Sequence, residues 1–209
     1  TAPISFARGA DPRLQDAVTA LQQLPEPPTG DLVNSQQQLA LTLCEVGRAR
    51  EAVEVMSAAV ATAERDQERQ DKDLAPAYLA HCLLLAGQRE RAFELFGKYL
   101  PKARLLEDPI DYAVLARSAC CLYAADGKAA DLTRGLVDLL EVGEQGAAKA
   151  LTLPPREAIE QAQLDDSLAE FVLSFAGQAE PGKQKELQRR AFSLLETLRG
   201  VALQSARVF

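Results

Sequence analysis

The chain has 209 residues, of which 47% are hydrophobic and 25% charged, so it can form one elongated domain with a continuous apolar core. Its formal net charge of −7 argues against nucleic-acid binding, because phosphate recognition needs a concentrated positive field. No apolar run approaches the length that crosses a membrane. We therefore expect a protein with no nucleic-acid partner and no membrane span.

In chain order, the first predicted element is a helix from about Pro12 to Leu24, with Asp11 as its N-capping acid. The proline-rich stretch 25–30 then interrupts the helical pattern. We expect residues 1–30 to form an N-terminal capping helix on a larger helical array.

Three glycines recur at an interval of forty residues, each between two Ala- and Leu-rich helical stretches: Gly47, Gly87 and Gly127. A small residue stands seven positions before each glycine, and a large apolar residue stands nine positions after it. The small residues are Ala40, Ala80 and Cys120, and the large residues are Met56, Phe96 and Leu136. Small residues let helices approach closely, while bulky ones fill the gap to the next repeat. The register predicts three packed helical hairpins of about 40 residues each within residues 31–143.

Two helix starts inside the repeats are predicted from acids at N-cap positions. Asp73 precedes Leu74, and Asp108 precedes Pro109. Proline is well tolerated at the first helical position, because the N–H that it lacks would have no partner there. No stretch alternates apolar and polar residues long enough to indicate a sheet, so the sequence predicts an all-α fold.

The segments GRAREAVEVM and GQRERAFELF, which begin at Gly47 and Gly87, resemble the turn and second helix of a tetratricopeptide repeat (TPR). Tyr123, four residues before the third glycine, fits the same pattern. The third repeat departs from it, with Leu132 at a small-residue position and Gly135 inside the second helix. The resemblance covers about residues 31–142 and implies an all-α, right-handed superhelical array of antiparallel helical hairpins. Such a TPR-like α-solenoid carries terminal capping helices.

Residues 144–209 are predicted as a looser C-terminal hairpin and capping helix, completing a single α-solenoid domain over 1–209. The segment that begins at Gly143 and ends at Glu157 is expected to be a turn, a short helix and a proline-punctuated linker. Phe175 to Gln178 echoes Leu85 to Gln88, which predicts a fourth hairpin with an extended turn.

The last helix, about Lys183 to Ala206, has one apolar seam, which favours an intramolecular cap over a dimerisation helix. The seam contains Leu187, Ala191, Leu194, Leu198 and Val201, widened by Phe192 and Leu195. The oligomeric state stays open.

The TPR resemblance implies a protein–protein interaction module or scaffold, whose first helices line a concave groove for a peptide or helical segment of another protein. On that pattern the partner-binding groove has three columns, one for each repeat. They are Asn34, Gln37, Leu41 and Cys44; Leu74, Ala77, His81 and Leu84; and Val114, Arg117, Cys121 and Ala124. Some of these residues could instead pack between neighbouring hairpins.

The residue count argues against one kind of partner. Family members that bind the acidic C-terminus of heat-shock chaperones resemble each other in a clamp of Lys, Arg and two Asn side chains. This chain contains a single asparagine, Asn34, so that clamp cannot be built. An apolar or amphipathic helix is the expected ligand. Two alternatives stay open: a regulatory or oligomerisation segment of a larger protein, and a helical-repeat enzyme subunit.

The sequence contains no recognisable reaction centre. The one histidine, His81, is adjacent to Cys82, and neighbouring residues on a helix point about 100° apart, so the two cannot readily act as base and nucleophile. The four cysteines match no zinc or disulfide spacing and are expected to pack in the core as reduced thiols. We therefore expect no enzyme, no cofactor, no metal and a cytoplasmic location. The chain begins at Thr1 without Met, so a removed leader stays an alternative.

Overall fold

A computed structural model describes residues 16, 20, 29–65, 71–106 and 109–206 of the chain. In these ranges the backbone is almost entirely α-helical and contains no strand, which confirms the all-α prediction. The helices are α1 (Thr29–Glu45), α2 (Ala49–Arg65), α3 (Asp71–Leu85), α4 (Arg89–Leu106), α5 (Pro109–Ala125), α6 (Ala129–Ala150), α7 (Pro155–Phe175) and α8 (Gln184–Ala206). The predicted N-terminal helix, about Pro12 to Leu24, lies outside the described residues except for Asp16 and Ala20, which are helical.

The helices form antiparallel hairpins in two compact units, Thr1–Asp108 and Pro109–Phe209. In the first unit α1 packs on α2, α3 packs on α4, and α3 also contacts both α1 and α2. In the second unit α5 packs on α6 and α7 packs on α8, while α6 contacts both α7 and α8. The division of residues 1–209 into a cap, three repeats and a C-terminal hairpin of one domain stays a prediction.

The three repeat glycines end the first helix of each of the first three hairpins, as predicted. Gly47, Gly87 and Gly127 have φ of +80°, +80° and +66°. At the first turn, Arg48 N donates to the carbonyl of Leu43 at 2.8 Å, and Gly47 N donates to that of Cys44 at 3.0 Å. These two bonds define a Schellman motif, which satisfies carbonyls that the helix end leaves unpaired. The same bonds recur forty and eighty residues later.

We expect replacement of Gly87 by Ala to destabilise the chain by about 1–2 kcal/mol, because an L side chain is strained at this φ. A Cβ at residue 87 would meet no atom within 4 Å, so the loss would come from the backbone alone. Gly97, exposed within α4, is the matched control: Gly97→Ala should gain up to about 1 kcal/mol of helix stability. Urea unfolding of the two variants measures both effects. A loss at Gly97 as large as at Gly87 would contradict the argument.

Small and large side chains of the repeat register pack where the sequence predicts them. The residues seven before and nine after each glycine are completely buried: Ala40, Ala80, Cys120, Met56, Phe96 and Leu136. The third repeat keeps this packing by a compensation. A Cβ at Gly135 would lie 2.5 Å from the Sγ of Cys120, so the glycine makes room for a side chain larger than the alanine of the other repeats.

The predicted turn and short helix after Gly143 are wrong, because α6 continues without interruption to Ala150, whereas the predicted proline-punctuated linker is present at residues 151–154, before α7 begins at Pro155. Gly143 and Gly146 serve close packing rather than a turn. A Cβ at Gly143 would lie 2.7 Å from Cδ2 of Leu194 in α8, and one at Gly146 would fall on the carboxylate of Asp165 in α7. Glycine is costly inside a helix, but here it lets α7 and α8 approach α6.

Two predicted helix starts have different outcomes. Pro109 is the first residue of α5, as predicted. Helix α3 begins at Asp71, so Asp73 lies inside the first turn rather than at the N-cap. Acidic residues are favourable throughout the first turn of a helix, so the pattern alone could not fix the boundary.

The fourth hairpin has the extended turn that the sequence predicts. Its glycine, Gly177, has no positive φ and lies in a short 3₁₀ helix, Ala176–Gln178. The side chain of Gln184 donates hydrogen bonds to the carbonyls of Gly177 at 3.0 Å and Ala179 at 2.9 Å. The backbone N–H of Glu180 donates to Oγ1 of Thr133 on α6. Side chains therefore replace the Schellman bonds at this turn.

The apolar seam of α8 is buried within its own unit, in agreement with intramolecular packing. All five seam residues and Leu195 are buried, while Phe192 is 58% exposed and lies outside the seam. The prediction that Phe192 widens the seam is therefore wrong, because this residue lies on the exposed side of the helix. Arg190 fixes α8 to α6 through two hydrogen bonds to the carboxylate of Glu144, at 3.0 and 2.9 Å.

Candidate partner-binding faces

The first two predicted columns lie on the neighbouring helices α1 and α3 of the first unit. Each column follows one helix face, since its members are three or four residues apart. On α1 Asn34 is exposed and the other three residues are half-buried. On α3 Ala77 is completely buried and belongs to the packing beneath the face, while Leu74, His81 and Leu84 are half-buried.

The face of the first unit is uncharged at its column positions. Burial holds the pKa of His81 below its usual value, so the imidazole is neutral at pH 7. The Sγ atom of Cys44 lies 3.6 Å from that of Cys82, a residue of α3 that is outside the columns. The structure thus brings together two thiols that sequence reasoning treated as separate core residues.

The third column lies on α5 in the second unit, where Val114 and Cys121 are exposed and Arg117 and Ala124 are half-buried. The guanidinium carbon of Arg117 is 4.9 Å from the ring centroid of Phe171 on α7. A cation at this distance over an aromatic face is attracted by the ring. Among the described residues no carboxylate forms an ion pair with Arg117, which is half-buried.

Sequence reasoning missed a fourth column on α7, although the signal was present. Counting back from Gly177 as from the other three glycines places Leu164, Ser167, Phe171 and Ser174 at the column positions. Leu164 is exposed, and the ring of Phe171 lies 4.8 Å from that of Phe175. Helices α5 and α7 are in contact, so the second unit presents an apolar and aromatic face with one cation.

Within the described ranges, no group of three or more His, Cys, Asp or Glu side chains is placed to hold a metal ion. None of the described helices is both long enough and apolar enough to cross a membrane.

The structure is similar to the crystal structure of BtubC (BKLC) from P. vanneervenii, with a TM-score of 0.58 and 16% sequence identity. The likeness covers 90% of this chain and 72% of BtubC. This likeness, together with the repeated Schellman turns, establishes the fold. The chain has the TPR-like helical-repeat fold. Because the sequence identity between this TPR-like chain and BtubC is low, the likeness concerns the fold alone.

Two crystal structures of nearly identical TPR-like repeats, from a Podosopora anserina protein whose name relates it to kinesin light chain, are also similar. They share 16% and 17% identity, with TM-scores of 0.44 and 0.45, over 88% of this chain and 100% of theirs. No protein-family model matches the sequence, and no curated protein is significantly similar to it.

Proposed function

We propose that this TPR-like chain is a protein-interaction module that binds a segment of a partner protein along the exposed faces of its first helices. The observation that carries the proposal is the position of Arg117, which lies over the ring of Phe171 with no carboxylate partner among the described residues. A buried arginine would need such a partner, whereas a half-exposed one can offer its forked donors to a ligand.

The face of the second unit favours a partner segment with an acidic residue between apolar anchors. The exposed side chains of Val114 and Leu164 lie on the same two helices as Arg117 and Phe171. A carboxylate would accept two hydrogen bonds from the guanidinium, and apolar side chains would cover the exposed aliphatic groups. An amphipathic helix meets both requirements with residues three or four positions apart.

We propose further that the module is not catalytic and needs no cofactor or metal for binding. In the same proposal it acts in a reducing compartment such as the cytoplasm, because all four cysteines are free thiols in the structure. The uncharged columns on α1 and α3 give the first unit a face of its own, which would bind an apolar segment.

A selection from a random peptide library tests the proposed chemistry of the partner. We expect enriched peptides to carry an acidic residue flanked by apolar ones, because Arg117 is the one charged side chain in the columns. Enrichment of basic or entirely polar peptides would contradict the proposal. An enriched peptide then serves as the probe for affinity measurements.

We expect Arg117→Glu to weaken binding of that peptide by roughly tenfold or more, equivalent to about 1.4 kcal/mol, because the charge reversal repels the acidic anchor. The matched control is Arg134→Glu, which makes the same charge change at an exposed position on α6. Its effect should stay within about twofold. Calorimetric titration measures both, and circular dichroism checks the fold. If Arg117→Glu leaves affinity and fold unchanged, the α5 face is not the site, and the outer face of α8, with Phe192 and Leu203, is the next surface to test.

A further inference from the structure

Two cysteines 38 residues apart in sequence lie in contact between the first two hairpins. Cys44 on α1 is half-buried, Cys82 on α3 is completely buried, and their Sγ atoms are 3.6 Å apart. That distance corresponds to a hydrogen bond between thiols in van der Waals contact. The other two cysteines, Cys120 and Cys121, are neighbours on α5, where adjacent side chains point in different directions.

We propose that Cys44 and Cys82 form an oxidation site, at which a peroxide converts the two thiols into a disulfide that links α1 to α3. The sulfur atoms must approach from 3.6 Å to the bond length of about 2.05 Å. A displacement of this size can be shared between side-chain rotation and a small shift of two packed helices.

The reaction proceeds in two steps and requires only the peroxide as co-reactant. The thiolate of Cys44 attacks one peroxide oxygen, the O–O bond breaks, and the departing oxygen leaves as water after taking a proton. The resulting sulfenic acid is attacked at sulfur by Cys82, the S–O bond breaks, and a second water leaves with the proton of Cys82. In total the dithiol loses two electrons and two protons, and one peroxide becomes two waters.

The environments of the two thiols fix this order. The hydrogen bond with Cys82 lowers the pKa of Cys44, against burial and the charge of Glu45, which raise it. The same hydrogen bond, together with burial, raises the pKa of Cys82. Cys44 is also the accessible partner, so it is the thiolate that meets the oxidant. Cys82 has no access to solvent and reacts second, with the sulfur beside it.

Peptide mapping of the full chain tests the site directly. Trypsin separates the cysteines into three peptides, residues 14–48 with Cys44, 73–89 with Cys82, and 118–128 with the remaining pair. After treatment with hydrogen peroxide and alkylation of the remaining thiols, we expect the first two peptides to be joined. The mass of the joined species should be two hydrogens lower than the sum of the masses of the two reduced peptides. The joined species should disappear after reduction.

Three variants sharpen the test. Cys44→Ser and Cys82→Ala should each abolish the joined species, and circular dichroism of the reduced proteins verifies that they fold. Cys121→Ser removes an exposed thiol elsewhere and should leave the link unchanged. The oxidised wild type should melt at a higher temperature than the reduced form, because the link closes a loop of the unfolded chain. Irreversible oxidation of Cys44 without a link, or a link from Cys44 to peptide 118–128, would overturn the proposal.

Discussion

Replacement of Asp165 by Asn should stabilise the chain at pH 7 and above, by on the order of 3 kcal/mol, and the gain should vanish below about pH 4. Asp165 lies on α7 and is 2% exposed. Its carboxylate faces Gly146 on α6, and the amide of Gln161 donates to both of its oxygens at 3.2 Å. No arginine, lysine or histidine among the described residues pairs with it.

Burial raises the pKa of Asp165 to about 6, although the hydrogen bonds from Gln161 oppose the shift. In the unfolded chain the carboxyl titrates near 3.9. Between these two values the folded state binds more protons than the unfolded state, so the free energy of unfolding falls as the pH rises from about 4 to 6. Above pH 6 the folded chain holds an ionised carboxylate without a counter-charge, and this is the cost that Asn removes.

The comparison needs a control for the other acidic groups of the chain. Asp166→Asn makes the same substitution at the next residue, which is half-exposed, and should not reproduce the gain. Urea unfolding of all three proteins between pH 4 and 8 gives the difference in unfolding free energy as a function of pH. A constant difference between wild type and Asp165→Asn would show that the carboxylate titrates normally in the folded state.

The repeat region could be predicted from sequence because its signals are local. A glycine that ends a helix with positive φ, a small residue seven positions earlier and a large one nine positions later all act within one hairpin. Gly47 and Gly87 therefore have the predicted turns, and Ala40 and Met56 are buried as expected. The faces of α1, α3 and α5 follow from helical periodicity once these turns are set.

The C-terminal part was harder to predict because the same residue types act through contacts distant in sequence. Gly143 and Gly146 look like helix breakers, and only the approach of Leu194 and Asp165 shows that they are packing positions. The contact between Arg117 and Phe171 likewise joins different helices, as does the contact between Cys44 and Cys82 in the first unit. Such pairs depend on hairpin stacking, which local propensity does not specify.

A substitution at Gly135 should also have a large effect on stability. Together with Cys120, this glycine keeps α5 and α6 in contact where the third repeat departs from the pattern. Cys120 is completely buried, and a methyl group at residue 135 would lie 2.5 Å from its Sγ. Overpacking of this kind costs about 1–3 kcal/mol. That loss exceeds the roughly 1 kcal/mol that alanine gains over glycine inside a helix. We therefore expect Gly135→Ala to destabilise the chain.

The same substitution should reverse its sign when the sulfur is removed. In a Cys120→Ala background the methyl group of residue 135 occupies the space left by Sγ, so Gly135→Ala should be neutral or stabilising by up to about 1 kcal/mol. The double-mutant cycle then gives a favourable coupling of about 2 kcal/mol between two residues that are fifteen positions apart. Urea unfolding of the four proteins measures it. Additive effects would mean that α5 and α6 adjust without contact between these side chains, and that the glycine does not set their distance.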